Sequence, residues 1–177
     1  MRKFEFVLRR NFKEKGWRFL FVFFAFMIPS SWMRSFTALL LLSRLLPWDI
    51  ESGEEEILLS LPLRRYEIFL YDFLIGFSTL FVSAVLTRHL FSFDFKDLLV
   101  IPYVYGISVL SAFYGKGNFI LPLLIVTVDS AFCWTDWVYI SPVCRGSWIG
   151  SLIDLVVFIV AFAIYSSDGK LREGFVW

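Results

Sequence analysis

The residue types that most often carry out chemistry are few in this chain and lie far apart. Glu54–Glu56 could serve a metalloprotease, but such a site needs histidine ligands, and His89 is the single histidine. Gly115-Lys116-Gly117 lacks both the spacing and the hydroxyl residue of a phosphate-binding P-loop. Neither HExxH nor GxSxG occurs. We therefore expect no enzyme active site, and no cofactor or metal bound by this chain.

Two carboxylates, Asp129 and Asp154, interrupt apolar segments. An aspartate at the centre of a bilayer costs roughly 2.5–3.5 kcal/mol on insertion scales and less near the interface. Each is therefore a candidate to line a transport pathway. The alternative is that both lie at headgroup depth or pair with Arg145 or Arg88.

The two cysteines, Cys133 and Cys144, both fall in the aromatic segment 132–148. We expect this segment outside the cytoplasm, as a re-entrant or interfacial structure. That compartment permits a disulfide. Sequence leaves open whether the pair is bonded or consists of two free thiols, because the geometry of the bond cannot be tested.

The composition fits a membrane protein. Of 177 residues, 58% are hydrophobic and 22 are phenylalanine, and the mean hydropathy is +0.70. Charged residues make up 19%, below the quarter or so of an ordinary soluble domain. Disorder, coiled coil, collagen and a disulfide scaffold are excluded. The net charge of +1 predicts no nucleic-acid partner.

The apolar runs predict an all-α protein with six transmembrane helices. A spanning helix needs about 20 apolar residues. The stretch 17–47 is too long for one span, so we divide it into two short spans joined by a turn at Pro29–Arg34. The six-helix transmembrane domain then covers 17–165. Its predicted spans are 17–31, 33–47, 67–87, 97–114, 118–134 and 148–165.

The distribution of basic residues predicts the orientation in the cell (plasma) membrane. With six spans, both termini lie on one side, and only four of the 17 Lys and Arg residues lie on the other. The positive-inside rule then places both termini and a tail at 166–177 in the cytoplasm. The four basic residues on the outer side are Arg34, Arg88, Lys96 and Arg145.

The first 16 residues form a predicted amphipathic helix. Phe4, Leu8 and Phe12 recur at four-residue spacing with Val7 beside them. A helix of this kind lies in the headgroup plane of a membrane. The alternative is a basic tail that only sets the topology.

The predicted cytoplasmic loop, 48–66, is the most informative segment. Ser52 and Glu55 have the spacing of a capping box, and Pro62 should stop a helix. The prediction is a short helix over 53–62, with Ile57, Leu58 and Leu61 on one side. Such a helix would need a partner protein or the bilayer surface to cover its apolar side.

This loop resembles the first cytoplasmic loop of ABC-2 type transporter permeases. The family pattern combines an acidic stretch, a Gly-Thr-x-Glu element, a leucine-rich run, a proline and then Arg-x-Glu at the start of a span. This chain has Gly53, Glu56, the run Leu58–Pro62, Arg65 and Glu67 in matching register. The six-span layout and the N-terminal helix are also similar to the family.

The resemblance implies the transmembrane permease subunit of an ABC exporter. Such subunits form homo- or heterodimers and contact separate ATPase subunits, which bind ATP and Mg. The helix 53–62 would be the coupling helix that contacts the ATPase, with Arg65 and Glu67 as its membrane-side anchor. Charging Leu58 or Leu61 would then uncouple the ATPase. The alternatives are a membrane scaffold or assembly factor that binds another partner through this helix, and a small ATP-independent channel.

Overall fold

A computed structural model describes residues 2–26, 31–60, 63–90, 98, 100–115, 117, 119–132 and 148–167. Within these ranges the protein is all helical, without a β-strand. The helices are α1 (Arg2–Phe26), α2 (Ser31–Leu42), α3 (Leu46–Ser52), α4 (Glu55–Leu59), α5 (Arg65–Leu90), α6 (Val100–Phe113), α7 (Ile120–Phe132) and α8 (Trp148–Ser167).

Helix α1 is one continuous helix of 25 residues. The expected boundary between an interfacial helix at 1–16 and a span starting at 17 is therefore not a helix end. Gly16 is tolerated within the helix, at a cost of about 1 kcal/mol relative to alanine. Val7 and Asn11, one turn apart, are buried against the rest of the protein, whereas Leu20 and Phe24 are exposed.

Helix α6 is the centre of the molecule. Its most extensive contact is with α8, and it also contacts α2, α3 and α7. Its residues are buried on nearly every side. Gly106 allows the close approach to α8, because a Cβ at this position would lie 3.2 Å from the Val157 carbonyl oxygen and 3.3 Å from the Phe158 Cα.

An aromatic cluster joins α5 to α6 and α8. The ring of Phe69 lies 5.0 Å from that of Tyr105 and 5.4 Å from that of Phe162, and the Phe73 ring lies 4.6 Å from that of Phe158. Tyr105 also donates its hydroxyl to the Phe69 carbonyl oxygen at 3.1 Å. Residues early in α5 therefore face residues late in α8, so these two helices run antiparallel.

The prediction of six transmembrane spans is wrong. Among the described residues, only two helices are long and apolar enough to cross a membrane, at 65–86 and 149–167. Helix α2 has 12 residues, α6 has 14 and α7 has 13. At 1.5 Å per residue these three reach only about 18–21 Å, against a hydrocarbon core of about 30 Å.

The physical reason for the error is that an apolar helix can be covered either by lipid or by other helices. Sequence alone does not distinguish the two. The α6 segment is as apolar as a lipid-facing span, but most of its side chains are buried by other helices. The run 33–47 includes the turn between α2 and α3, where Ser43 and Leu45 are buried in the protein. Counting each long apolar run as one span therefore gives too many spans.

Candidate functional site

The segment between α2 and α5 folds as two short helices rather than one. Helix α3 has a proline in its first turn and ends at Gly53, whose φ of 78° is the left-handed conformation that glycine favours. Helix α4 follows at Glu55–Leu59. We call residues 46–60 the α3–α4 segment. The helix predicted over 53–62 is found in shorter form at Glu55–Leu59, and α3 is an additional helix before the turn at Gly53.

The predicted capping box is also absent. Ser52 closes α3 instead of starting the next helix, and its hydroxyl donates to the Asp49 carbonyl oxygen at 3.4 Å. Glu54 holds the N-cap position of α4 without a side-chain capping bond. Ser52 and Glu55 do have the spacing of a capping box, but Ser52 is the last residue of α3.

Leu58, on the apolar side of α4, is covered by the protein itself. Leu58 is 1% exposed and belongs to the main hydrophobic core. The expectation that Leu58 faces a partner groove is therefore wrong. The exposed residues of the segment are polar or glycine: Glu51, Ser52, Gly53, Glu56 and Ser60. The side chain of Ile57 and all of Leu61 and Pro62 lie outside the described residues.

Arg10 of α1 holds both sides of the Gly53 turn. Its Nη1 donates to Asp49 Oδ2 at 3.1 Å and its Nη2 to Glu54 Oε2 at 3.0 Å. The Asp49 side chain is fully buried and that of Arg10 is 13% exposed. A forked guanidinium suits two such acceptors, and hydrogen bonds between ionised groups are stronger than neutral ones. The α3–α4 segment is thus attached to α1.

The next residue of α1 is bonded to α5. Asn11 Nδ2 donates to Asp72 Oδ1 at 2.8 Å, and both side chains are buried. Sequence reasoning did not assign roles to Arg10, Asn11, Asp49 or Asp72 in a site. One signal was available, since Asn11 is a polar residue on the same helix face as Val7.

Arg65, a predicted anchor, does contact the α3–α4 segment. Its Nη1 lies 3.3 Å from Glu55 Oε1, an ion pair in which Glu55 is nearly buried. The guanidinium also lies 5.7 Å from the centre of the Tyr165 ring near the end of α8. The start of α5, the end of α8 and the α3–α4 segment therefore meet at one end of the helices, which we call the loop end.

Glu67, the other predicted anchor, serves α5 locally. Its Oε2 accepts a hydrogen bond from the Arg64 backbone N–H at 2.8 Å. This contact satisfies one of the N–H groups that a helix start leaves without an intrahelical partner. A carboxylate in the first turn also suits the positive end of the helix dipole. Glu67 thus fixes where α5 begins.

Asp129 and Asp154, which we call the carboxylate pair, lie on different helices. Both are buried, Asp129 on α7 and Asp154 near the start of α8, the end of α8 away from the loop end. The negative charge of Asp129 acts on Asp154, and both charges act on Tyr103 of α6. In the described part of the chain, Asp154 Oδ1 has no hydrogen-bond partner. Cys133 and Cys144, and therefore the predicted disulfide, lie outside the described residues.

The loop end and the carboxylate pair differ in what they can do. The loop end combines opposite charges from several helices, which suits mechanical attachment rather than bond-making chemistry. Among the described residues, no three His, Cys, Asp or Glu side chains are placed to hold a metal together. No family model matches this chain, and no curated protein or solved structure matches it either.

Proposed function

We propose that this chain is the transmembrane permease subunit of an ABC-2 type exporter. In this proposal the α3–α4 segment contacts separate ATPase subunits, which bind ATP and Mg. Two permease subunits together form the substrate pathway. The observation that carries the proposal is the attachment of this segment to both α1 and α5 by ion pairs. Displacement of the segment would therefore be transmitted to two long helices, α1 and α5.

The resemblance and the geometry support the proposal from different directions. Gly53, Glu56 and Arg65 match the family loop in register, and Gly53 is the residue at which the chain turns between α3 and α4. The outer surface of the segment is polar, so the proposed contact with the ATPase is polar and acidic, through Glu56 and its exposed neighbours. Leu58 supports this surface from inside.

Two helices support a location in the cell membrane. Of the apolar stretch in α8, 22% is buried in the protein, and of that in α5, 44%. A core helix of a soluble protein would be mostly buried, whereas lipid covers the exposed apolar side of a spanning helix. We place the loop end, the first half of α1 and the end of α8 in the cytoplasm, following the positive-inside rule.

The carboxylate pair of Asp129 and Asp154 is the proposed polar part of the substrate pathway. Buried acids at membrane depth are costly and usually functional. In the proposed orientation Asp154, near the start of α8, would lie toward the outer side. Transport would move cargo past them when the ATPases displace the α3–α4 segment.

The test is purification of the tagged chain from its native membrane in mild detergent, with mass identification of stoichiometric partners. We expect one P-loop ATPase per permease subunit. Glu56→Arg should lower the recovered ATPase at least tenfold, a change of about 1.4 kcal/mol in binding. Glu5→Arg is the matched control, since Glu5 is an exposed acid on α1.

The same experiment identifies the rival function. If no ATPase is recovered and Glu56→Arg instead releases another cytoplasmic protein, the chain is a membrane scaffold or assembly factor. Equal recovery of the ATPase with both variants would show that the partner does not contact the exposed face of α4.

A further inference from the structure

Arg10 of α1 contacts both sides of the turn in the α3–α4 segment. Arg10 bonds Asp49, which lies before Gly53, and Glu54, which lies after it. The two acceptors therefore come from opposite sides of the turn. A lysine ammonium is a point charge without the fixed fork of a guanidinium, so arginine is the residue type that fits this geometry.

The neighbouring residue continues the connection. Asn11 bonds Asp72 on α5, so successive residues of α1 contact the segment and α5. Val7, one turn before Asn11, is buried in the core. Within a helix, residues one turn apart are held by backbone hydrogen bonds. Displacement at Arg10 should therefore move Val7 and Asn11 with it.

We infer that Arg10 is a positioning residue that transmits displacement of the α3–α4 segment to α1. The competing route runs through α5, by the Arg65–Glu55 ion pair and by the chain that joins the segment to α5. The inference rests on the proposed function for its use in transport, but the mechanical link can be measured on the chain alone. Arg9 supplies a matched control, because it is 79% exposed and pairs with Glu5 within α1.

The experiment disturbs the segment and follows α1. Gly53→Ala places a side chain at φ of 78°, with no neighbouring atoms within 4 Å, so its effect comes from backbone strain alone. Hydrogen exchange is measured on the full chain in lipid nanodiscs. In the native background we expect amides of 46–60 and also of 4–12 to exchange about tenfold faster with Gly53→Ala.

The decisive comparison is the same substitution with Arg10→Gln. There amides of 4–12 should already exchange faster than in the native chain, and Gly53→Ala should add no further increase. With Arg9→Gln, Gly53→Ala should still act on α1. An equal response of α1 with and without Arg10 would overturn the inference, as would an α1 that does not respond in the native background.

A milder variant covers the case in which Arg10→Gln does not fold. Glu54→Gln removes the charge of one partner, whose side chain is 43% exposed, and it should weaken the response of α1 to Gly53→Ala. An undiminished response would again overturn the inference.

The ATPase separates this inference from the proposed function. If an ATPase co-purifies, Arg10→Gln should retain it but lose stimulated hydrolysis, while Arg9→Gln retains both. Stimulation that survives Arg10→Gln would show that the functional route bypasses α1. Absence of any ATPase would contradict the proposed function and leave the exchange result standing.

Discussion

At the residue scale, the closest helix contact depends on Gly106. A Cβ there would lie 3.1 Å from Val157 Cγ1 and within 3.3 Å of two backbone atoms of α8. Backbone atoms cannot rotate away, so α6 and α8 would have to separate. We expect Gly106→Ala to lower the free energy of unfolding by about 1–3 kcal/mol, measured by denaturation in detergent.

Gly16 is the matched control for this substitution. It also lies in a helix, but a Cβ there would meet nothing within 4 Å. Gly16→Ala should stabilise the protein by about 0.5–1 kcal/mol, because alanine loses less backbone entropy in a helix. Equal effects of the two substitutions would contradict the close packing at Gly106.

Leu58 and Glu56 separate support of α4 from its exposed surface. Leu58 is buried in the core while Glu56, two residues earlier, is exposed. We expect Leu58→Ala to cost about 2–5 kcal/mol of unfolding free energy. Glu56→Ala should stay within about 0.5 kcal/mol of the native value. Chemical denaturation monitored by tryptophan fluorescence measures both, and a neutral Leu58→Ala would mean that α4 is not packed on the core.

Arg10 and Asp49 should depend on each other energetically. Removing one partner of a buried ion pair leaves an uncompensated charge and costs about 3–5 kcal/mol. Arg10→Ala should therefore be strongly destabilising, because Asp49 is fully buried. Adding Asp49→Asn should restore part of the loss. A double-mutant cycle measures this coupling, and strictly additive losses would contradict the bonded geometry.

At the element scale, sequence predicts the positions of the helices better than it predicts whether lipid or protein covers them. The predicted segments 97–114, 118–134 and 148–165 overlap α6, α7 and α8 closely, because long apolar runs have few other stable forms. Whether lipid or protein covers a run depends on tertiary neighbours. That is why α6 was mistaken for a span.

The contacts of the loop end were beyond sequence reasoning for a related reason. Arg10 and Asp49 are 39 residues apart in the chain, and Asn11 and Asp72 are 61 apart. Local patterns such as the Ser52–Glu55 spacing carry no information about such pairs. The residue pattern around Gly53 and Arg65 drew attention to this segment, but the link to α1 required the fold.

Helix α1 should behave as one element with a protein-facing and a lipid-facing side. Val7 is buried, whereas Leu20 and Phe24 are exposed. Spin labels at cysteines placed at 20 and 24 should therefore collide readily with oxygen dissolved in lipid, and a label at 7 should not. The measurement is power-saturation EPR in liposomes. Equal oxygen accessibility at all three positions would contradict this packing of α1.

At the scale of the whole molecule, the described helices expose an unusually apolar surface. Soluble monomers rarely expose large contiguous apolar patches. Here α7 and α8 each expose several large apolar side chains at helical spacing: Ile120, Leu124, Val128, Leu152, Val156 and Ile159. On α8 this face extends over much of the helix, as expected if it contacts acyl chains while the opposite side packs on α6.

The antiparallel arrangement of α5 and α8 gives a test of the membrane orientation. Tyr66 and Ser167 are exposed residues near the loop end, whereas Ile149 lies at the other end of α8. Single cysteines at these positions are introduced after replacing both native cysteines with serine. In intact cells, a membrane-impermeant maleimide should label position 149 alone. After permeabilisation it should also label 66 and 167.

Labelling of 66 and 167 from opposite sides would show that α5 and α8 do not cross the bilayer as an antiparallel pair. Labelling of 66 and 167, but not 149, in intact cells would reverse the proposed orientation and place the α3–α4 segment out of reach of any cytoplasmic ATPase.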